Sequence, residues 1–471
     1  MLIYDFSKRS DHSLYEYLYI CLRNDIVSGR LPAGSKLPSK RELAYDNQIS
    51  VRTVMNAYEQ LLTEGYITSE EKRGYYVADV EFDSERLDLL ADQPFETEPE
   101  PLVKEEKWFA DFTSNNIIYE KFPYSLWSKT MREVLSEYSV ELVQKAPFLG
   151  IYELRAAIAE YLYRARGMKV SPERILIGSS IEYLYIKLMN LLPKGSVYGT
   201  ENPGYKKIPG IYNEYGAKWE SIDVDEEGLD MQSLNESGVN IVHVSPEHHY
   251  PLGTTMTAAK RLELLKWAAE KTDRYIIEDD YDCEFRYHTR SIPALQSMDT
   301  NHRVIYMNTF SKSLSPAIRI SYMVLPEKLM SACINNANFY SNSVSSCEQY
   351  TLARFIKSGA FERHLSRMKK YYQREGELLL KIIKQTPLIP AVRIEGSNCG
   401  THLLIYLDTS LTDVEIKWAA KSQGINVSFL SEFCYVPKPE YSHALILNYS
   451  NMNEDTIRET IRRLSNIFIE W

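Results

Sequence analysis

Residues 308–322 read "NTFSKSLSPAIRISY", which sets Lys312 three residues after Thr309, one after Ser311 and seven before Arg319. A lysine amine can hold an aldehyde as a Schiff base. Two hydroxyls and a planar guanidinium suit a phosphate dianion. Two other stretches supply what an aldehyde on a pyridine ring needs. "IEDDYDCEF" offers Asp279, a carboxylate able to keep a ring nitrogen protonated and the ring an electron sink, and Tyr281, able to donate to a phenolic oxygen. "ENPGY" offers Tyr205 to stack on the ring face, and the N–H groups around Ser179 and Ser180 are further phosphate ligands. Singly these residues read as a surface charge, a solvated turn or a packed ring. In this joint order they describe a pocket for pyridoxal phosphate.

Such residues need a frame, and the surrounding sequence predicts one. From about residue 109 onward, apolar runs such as "RILIGSS", "SVYGTENP", "NIVHVSP", "RYIIEDDYD", "RVIYMNTFSK" and "RISYMVLP" alternate with helical stretches. That texture predicts an α/β body with a mostly parallel sheet covered by helices. In such sheets ligands gather at the carboxyl ends of strands. Each chemical motif ends one of these runs.

The first 80 residues have another character. Leu14, Leu18, Leu22 and Ile26 form one apolar stripe ended by Gly29, predicting a first helix. Ser39 and Glu42 have capping-box spacing and begin a second. Ser50 caps a third, whose Val54, Tyr58, Leu61 and Leu62 face inward and whose Arg52, Thr53 and Asn56 face outward. "GYITSEEKRGYYV" then reads as a hairpin around Lys72, Arg73 and Gly74. Three helices and a basic-tipped hairpin predict a winged helix-turn-helix with its third helix in the DNA major groove. Arg52, Thr53 and Asn56 are the candidate base readers, whereas Lys36, Lys40, Arg41, Lys72 and Arg73 are candidate phosphate contacts.

Composition bounds the rest. With 471 residues, 44% hydrophobic and 25% charged, the chain is an ordinary globular protein with room for an enzyme-sized body and an appendage. Its six cysteines are scattered without a CxxC pair, which argues against a zinc ribbon or a disulfide framework and suits a reducing cytoplasm; no metal site is expected. No secretory signal is seen, and no apolar run nears the roughly 20 residues that span a bilayer. The net charge of −10 is uneven: residues 81–108 carry 3 Lys and Arg against 10 Asp and Glu, with Pro94, Pro99 and Pro101. That acidic segment reads as a linker between a head, 1–80, and a body, 109–471. If flexible, its 28 residues reach roughly 30 Å.

The stretch from Lys36 to Tyr66 resembles the GntR family of bacterial regulators. From about residue 110 the chain resembles fold-type I aminotransferases, through "FLGIYELR", "ENPGY", "HHYPLGTTM", "EDDYD" and "SKSLSPAIR". The fusion of the two is similar to the MocR/GabR regulators across the whole chain. That resemblance implies a homodimer, head to tail with exchanged DNA-binding heads, that acts on promoter DNA and senses pyridoxal phosphate itself or an amine. Two other functions fit the same features: a working aminotransferase with a regulatory head, and a DNA-binding protein whose body is only a dimerisation scaffold.

Departures from the resembled pattern bear on the effector. Where aminotransferases have "NPTG" this chain has "YPLG", so Tyr250 or His249 substitutes for the asparagine or Tyr281 acts alone. No arginine lies between Ile394 and Ile457, where those proteins bind a substrate carboxylate, and "VSFLSEFCY" offers Glu432 instead. Lys206 and Lys207 stand where the GABA-sensing member has an arginine after "PGY". An amine effector would therefore rely on Lys207 as a point charge; a cofactor effector would need only the cofactor pocket. Sustained transamination is expected to be slow or absent.

Overall fold

Three serines begin the helices of the amino-terminal unit. Ser13 and Ser39 form reciprocal capping boxes with Glu16 and Glu42, starting α1 (Leu14–Val27) and α2 (Lys40–Asp46), and Ser50 Oγ accepts from the Thr53 N–H at 3.0 Å to start α3 (Val51–Thr63). The computed structural model describes residues 2–9, 12–79, 107–113, 118–289, 292–335, 340–386, 389–396 and 398–468. They form two compact units, Met1–Glu105 and Glu106–Trp471. All but the last two residues of the expected linker, 81–108, lie outside the described residues.

In the head, Leu18, Leu22 and Ile26 of α1 meet Leu43 and Ala44 of α2 and Val54, Ala57, Tyr58 and Leu61 of α3 in one core. Leu62, expected inside, is only partly buried, because the 3.6-residue period carries it to the rim of the stripe. The hairpin pairs β1 (Ile67–Glu70) with β2 (Gly74–Val77), and Ile67 and Val77 close the core. Lys72 at the tip has a φ of 63°.

The body holds β3 (Ala110–Asp111), β4 (Ile175–Gly178), β5 (Val197–Asn202), β6 (Lys218–Asp225), β7 (Gly228–Leu229), β8 (Ile241–Val244), β9 (Tyr275–Asp279), β10 (Val304–Thr309) and β11 (Ser321–Val324). Eight of them form one sheet in the order β4-β11-β10-β9-β8-β5-β6-β7. The strands from β10 to β6 are parallel; β11 runs against both its neighbours and β7 against β6. Helices cover both faces. Ile175 and Ile177 pack with Leu154, Ile158 and Phe355, whereas Leu176 between them packs with Leu184 and Leu188. A smaller antiparallel sheet follows, built from β12 (Ala391–Glu395), β13 (His402–Leu407), β15 (Ser428–Phe429) and β16 (Ala444–Asn448), while β14 (Ile425–Asn426) pairs with β3.

Behind the central strands lies an ionic cluster. Arg166, the last residue of the helix Tyr152–Arg166, has a side chain 1% exposed; its Nε lies 2.9 Å from Asp280 Oδ2, and its Nη1 pairs with Glu247. Tyr306 Oη donates to the same Asp280 oxygen at 2.6 Å. Removing one member of a buried ion cluster leaves the others unpaired in a low dielectric. Arg166→Ala is therefore expected to cost the body about 3–5 kcal/mol of unfolding free energy, measured by denaturant unfolding, without altering the head.

Candidate functional site

The carboxyl ends of five strands converge on one cavity of ≈ 220 Å³. After β4 the chain turns at Ser179 and Ser180, and Ser180 Oγ caps the helix Ile181–Leu191 by accepting from the Tyr183 N–H at 3.2 Å. Beyond β5 comes Gly204, where a Cβ would stand 2.0 Å from the Glu201 carbonyl oxygen; only glycine lets the backbone fold back so closely before Tyr205. Strand β8 brings His243, β9 brings Asp279, Tyr281 and Asp282, and β10 brings Thr309, Ser311 and Lys312. In the parallel pair of β9 and β10, Asp279 lies opposite Met307, five residues before Lys312, so both motifs leave the sheet at the same edge.

Of the residues expected from sequence, Ser180, Tyr205, Tyr250, Asp279, Tyr281, Thr309, Ser311, Lys312 and Arg319 line this cavity. Ser179 does not: its N–H donates to Ser343 Oγ at 3.0 Å. Lys207 is not in the wall either, and its ammonium pairs with Glu182. Nor does Glu432 enter the site, because it accepts from Lys417 Nζ at 2.6 Å and from the Phe429 N–H at 2.9 Å. Between the two candidate substitutes for the missing asparagine, Tyr250 lines the cavity, whereas His249 is buried with Nε2 3.6 Å from Glu201 Oε2.

The charges are arranged in layers. His243 Nε2 lies 3.3 Å from Asp279 Oδ2. Tyr281 Oη lies 3.2 Å from His248 Nδ1, which is itself 2.8 Å from Asp282 Oδ2. Burial disfavours a charged His248, but the Asp282 carboxylate overrides it and raises the imidazolium to about 10. Burial pushes the Lys312 ammonium down to about 8 against the pull of Asp282. It also raises the Glu201 carboxyl to about 8. At one end, Ser321 Oγ donates to Thr309 Oγ1 at 2.9 Å and Thr309 Oγ1 donates to Ser311 Oγ at 2.9 Å, beside Arg319 and the helix N-terminus.

This set fits pyridoxal phosphate. Hydroxyls, a guanidinium and a helix N-terminus at one end match a phosphate; an amine near its neutral form matches the aldehyde; a carboxylate backed by His243 matches the ring nitrogen. Thr200 Oγ1, buried in the wall, has no hydrogen-bond partner and is a donor a ligand can use. Sequence reading missed His243, Glu201 and Glu182. The strand-end rule pointed to the first two, since "NIVHVSP" and "ENPGY" both end strands. Glu182 carried no signal until the fold placed Arg319 beside it.

On the head, Arg52 is exposed at the start of α3, with Thr53 and Asn56 half-buried beside it. Thr53 Oγ1 is 2.8 Å from Ser50 Oγ. The Lys36 and Lys40 ammonium groups lie 6.0 Å and 5.2 Å from the rings of Tyr76 and Tyr75, so both cations run along the hairpin. Arg41 and Lys72 are exposed, and Arg73 is paired with Glu70 at 3.3 Å.

Two family models match: residues 14–77 match "Bacterial regulatory proteins, gntR family", and residues 111–464 match "Aminotransferase class I and II". The HTH-type transcriptional regulator YdeL of Bacillus subtilis (strain 168) is 39% identical over 96% of this chain and 96% of its own. The probable rhizopine catabolism regulatory protein MocR of Rhizobium meliloti is 30% identical over 100% of this chain and 96% of its own. The pyridoxine biosynthesis transcriptional regulator PdxR of Corynebacterium glutamicum is 26% identical over 94% of each. The cofactor of the cavity is pyridoxal phosphate, and the chain belongs to the MocR/GabR family of HTH-type transcriptional regulators, a GntR-type head fused to an aminotransferase class I and II body.

Proposed function

We propose that this regulator senses pyridoxal phosphate itself, held covalently at Lys312, and converts occupancy of the cavity into a change in promoter affinity. The observation that carries the reading is an asymmetry of the cavity. Its cofactor end has an amine, a ring-nitrogen carboxylate and a phosphate cup, while Arg319 is the one guanidinium among the described residues of the wall and belongs to that cup. A ligand carboxylate buried at the other end without a charge partner would lose several kcal/mol of solvation. One relative is named as a regulator of pyridoxine biosynthesis, which is chemically related to this effector. The second reading, an amine recognised through Lys207, is less supported because Glu182 already engages that ammonium.

On this proposal the head, 1–80, reads bases with Arg52, Thr53 and Asn56 and contacts phosphates with Lys36, Lys40, Arg41, Lys72 and Arg73. The segment 81–108 links it to the body, 109–471, in a cytoplasmic head-to-tail homodimer with exchanged heads. Exposed Tyr124, Leu135, Val140 and Val143 on the body support a second copy packing there. No helix among the described residues is long and apolar enough to cross a membrane.

Adding pyridoxal phosphate alone to cofactor-free protein is expected to shift its promoter affinity in a binding titration, with GABA or common amino acids adding little. Unaltered DNA binding with cofactor, together with a shift by one amino acid that Lys207→Ala abolishes, would overturn the cofactor reading. Arg52→Ala should weaken specific binding by roughly 1–3 kcal/mol and relax base preference, whereas Lys72→Ala should weaken all sequences alike and flatten the salt slope by about one unit. Lys312 also sets a pH dependence. Only the neutral amine attacks an aldehyde, so with a Lys312 pKa of about 8 the rate of cofactor uptake should rise about tenfold per pH unit below that value and level off above it. Visible absorbance measures that rate, and Lys312→Ala should lose covalent retention at every pH.

A further inference from the structure

Beside the phosphate cup, the cavity carries a carboxylate that cofactor chemistry does not call for. Glu182 sits in the first turn of the helix Ile181–Leu191, two residues beyond its cap Ser180, and lines the same wall as Ser180, Thr309, Ser311 and Arg319. One of its oxygens, Oε2, accepts from Arg319 Nη2 at 3.5 Å, and the other, Oε1, pairs with Lys207 Nζ. Its side chain is 26% exposed, against 56% for Arg319. Burial alone would raise this carboxyl, but hydrogen bonds from Lys207 and Ser180 hold it down at about 2, so it is ionised at every physiological pH. The unpaired N–H groups of a helix's first turn favour an anion. Here a carboxylate of the chain already stands in that field and engages one Nη of the guanidinium.

We propose that Glu182 is a built-in competitor for the phosphate end of the cavity. In the cofactor-free protein it holds Arg319 and Lys207; an incoming phosphate dianion must take Arg319 from it and accept a like charge nearby. The proposal rests on the cofactor-sensing reading and deepens it: a sensor needs occupancy that follows concentration, and an internal anion weakens binding to that end without removing a ligand. The competition is confined to the phosphate, so it predicts a difference between ligands with and without that group. A merely structural Glu182, serving the helix start, would show no such difference.

Equilibrium dialysis of the cofactor-free full chain, at fixed ionic strength, tests this with pyridoxal phosphate and with pyridoxal, which lacks the anion. Glu182→Gln is expected to lower the apparent Kd for pyridoxal phosphate by about three- to tenfold, the size of a partly exposed charge contact, and to leave that for pyridoxal unchanged. Glu182→Ala, which keeps a good helix former, is expected to act in the same direction. Unchanged or weaker binding of pyridoxal phosphate by both variants would overturn the proposal, as would equal tightening of both ligands. Wild type that binds no pyridoxal phosphate at all would sink the sensing reading itself, and Glu182's role with it.

Discussion

Four carboxylates in five residues, Glu278, Asp279, Asp280 and Asp282, cannot be carried into the middle of a sheet unless each finds its own partner. The body meets that demand from four directions. Glu278 accepts from the Leu295 and Gln296 N–H groups at 2.7 and 2.8 Å, at the start of a short helix. Asp279 faces His243 on the neighbouring strand, Asp280 takes Arg166 and Tyr306, and Asp282 takes His248. Because β9 lies in the centre of the sheet, these partners tie together β8, β10, the helix Tyr152–Arg166 and the loop after β8. The end of β9 is thereby fixed, and with it the distance from Asp279 to Lys312.

The same partnering sorts the carboxylates by role. Asp280 and Glu278 alternate with Asp279 along the strand and lie on the far side of the sheet from the cavity, where hydrogen bonding and ion pairing absorb their polarity. Asp279 and Asp282 remain in the cavity wall. Asp282 supports a charged His248, and His248 in turn bears on Tyr281 and on His402, whose ring stacks 5.2 Å away. Burial together with that neighbouring charge pushes His402 down to about 3, so it is neutral.

Much of this was legible because it rests on local rules. Capping serines at 13, 39 and 50 announce helices whatever lies around them, although Ser13 was noticed only in the structure. Continuous apolar runs announced buried parallel strands, and the residues at their ends announced the cavity. What stayed hidden depends on which strands become neighbours. "NIVHVSP" contains a histidine with no visible purpose until β8 pairs with β9 and sets it against Asp279. Ser179 and Lys207 lie outside the described cavity wall for a related reason: sequence names residues near a motif, but the partner that engages a side chain or N–H, Ser343 in one case and Glu182 in the other, comes from distant chain. Leu62 fell at the edge of a stripe, where a period cannot decide between core and rim.

Among the described residues of the wall, Arg319 is the one guanidinium, and its place in the phosphate cup bears on how any second ligand could be held. Transamination requires the bond to be broken at the substrate carbon to be held in one orientation to the ring, and a second fixed contact, commonly to the carboxylate, does that. Besides the residues matched to the cofactor, the described wall includes Thr401, Asn448 and the neutral His402, together with Glu201, whose carboxyl burial raises to about 8. His249 cannot serve as a cation either, since burial and the nearby His248 hold it down at about 3. The charged imidazole, His248, is committed to Asp282. On the proposed reading, an amine that reached the cofactor would find no second guanidinium among the described wall residues to orient its reacting bond. On the same reading, the cavity keeps the contacts that bind the cofactor, and Glu182 sets how readily its phosphate end is filled.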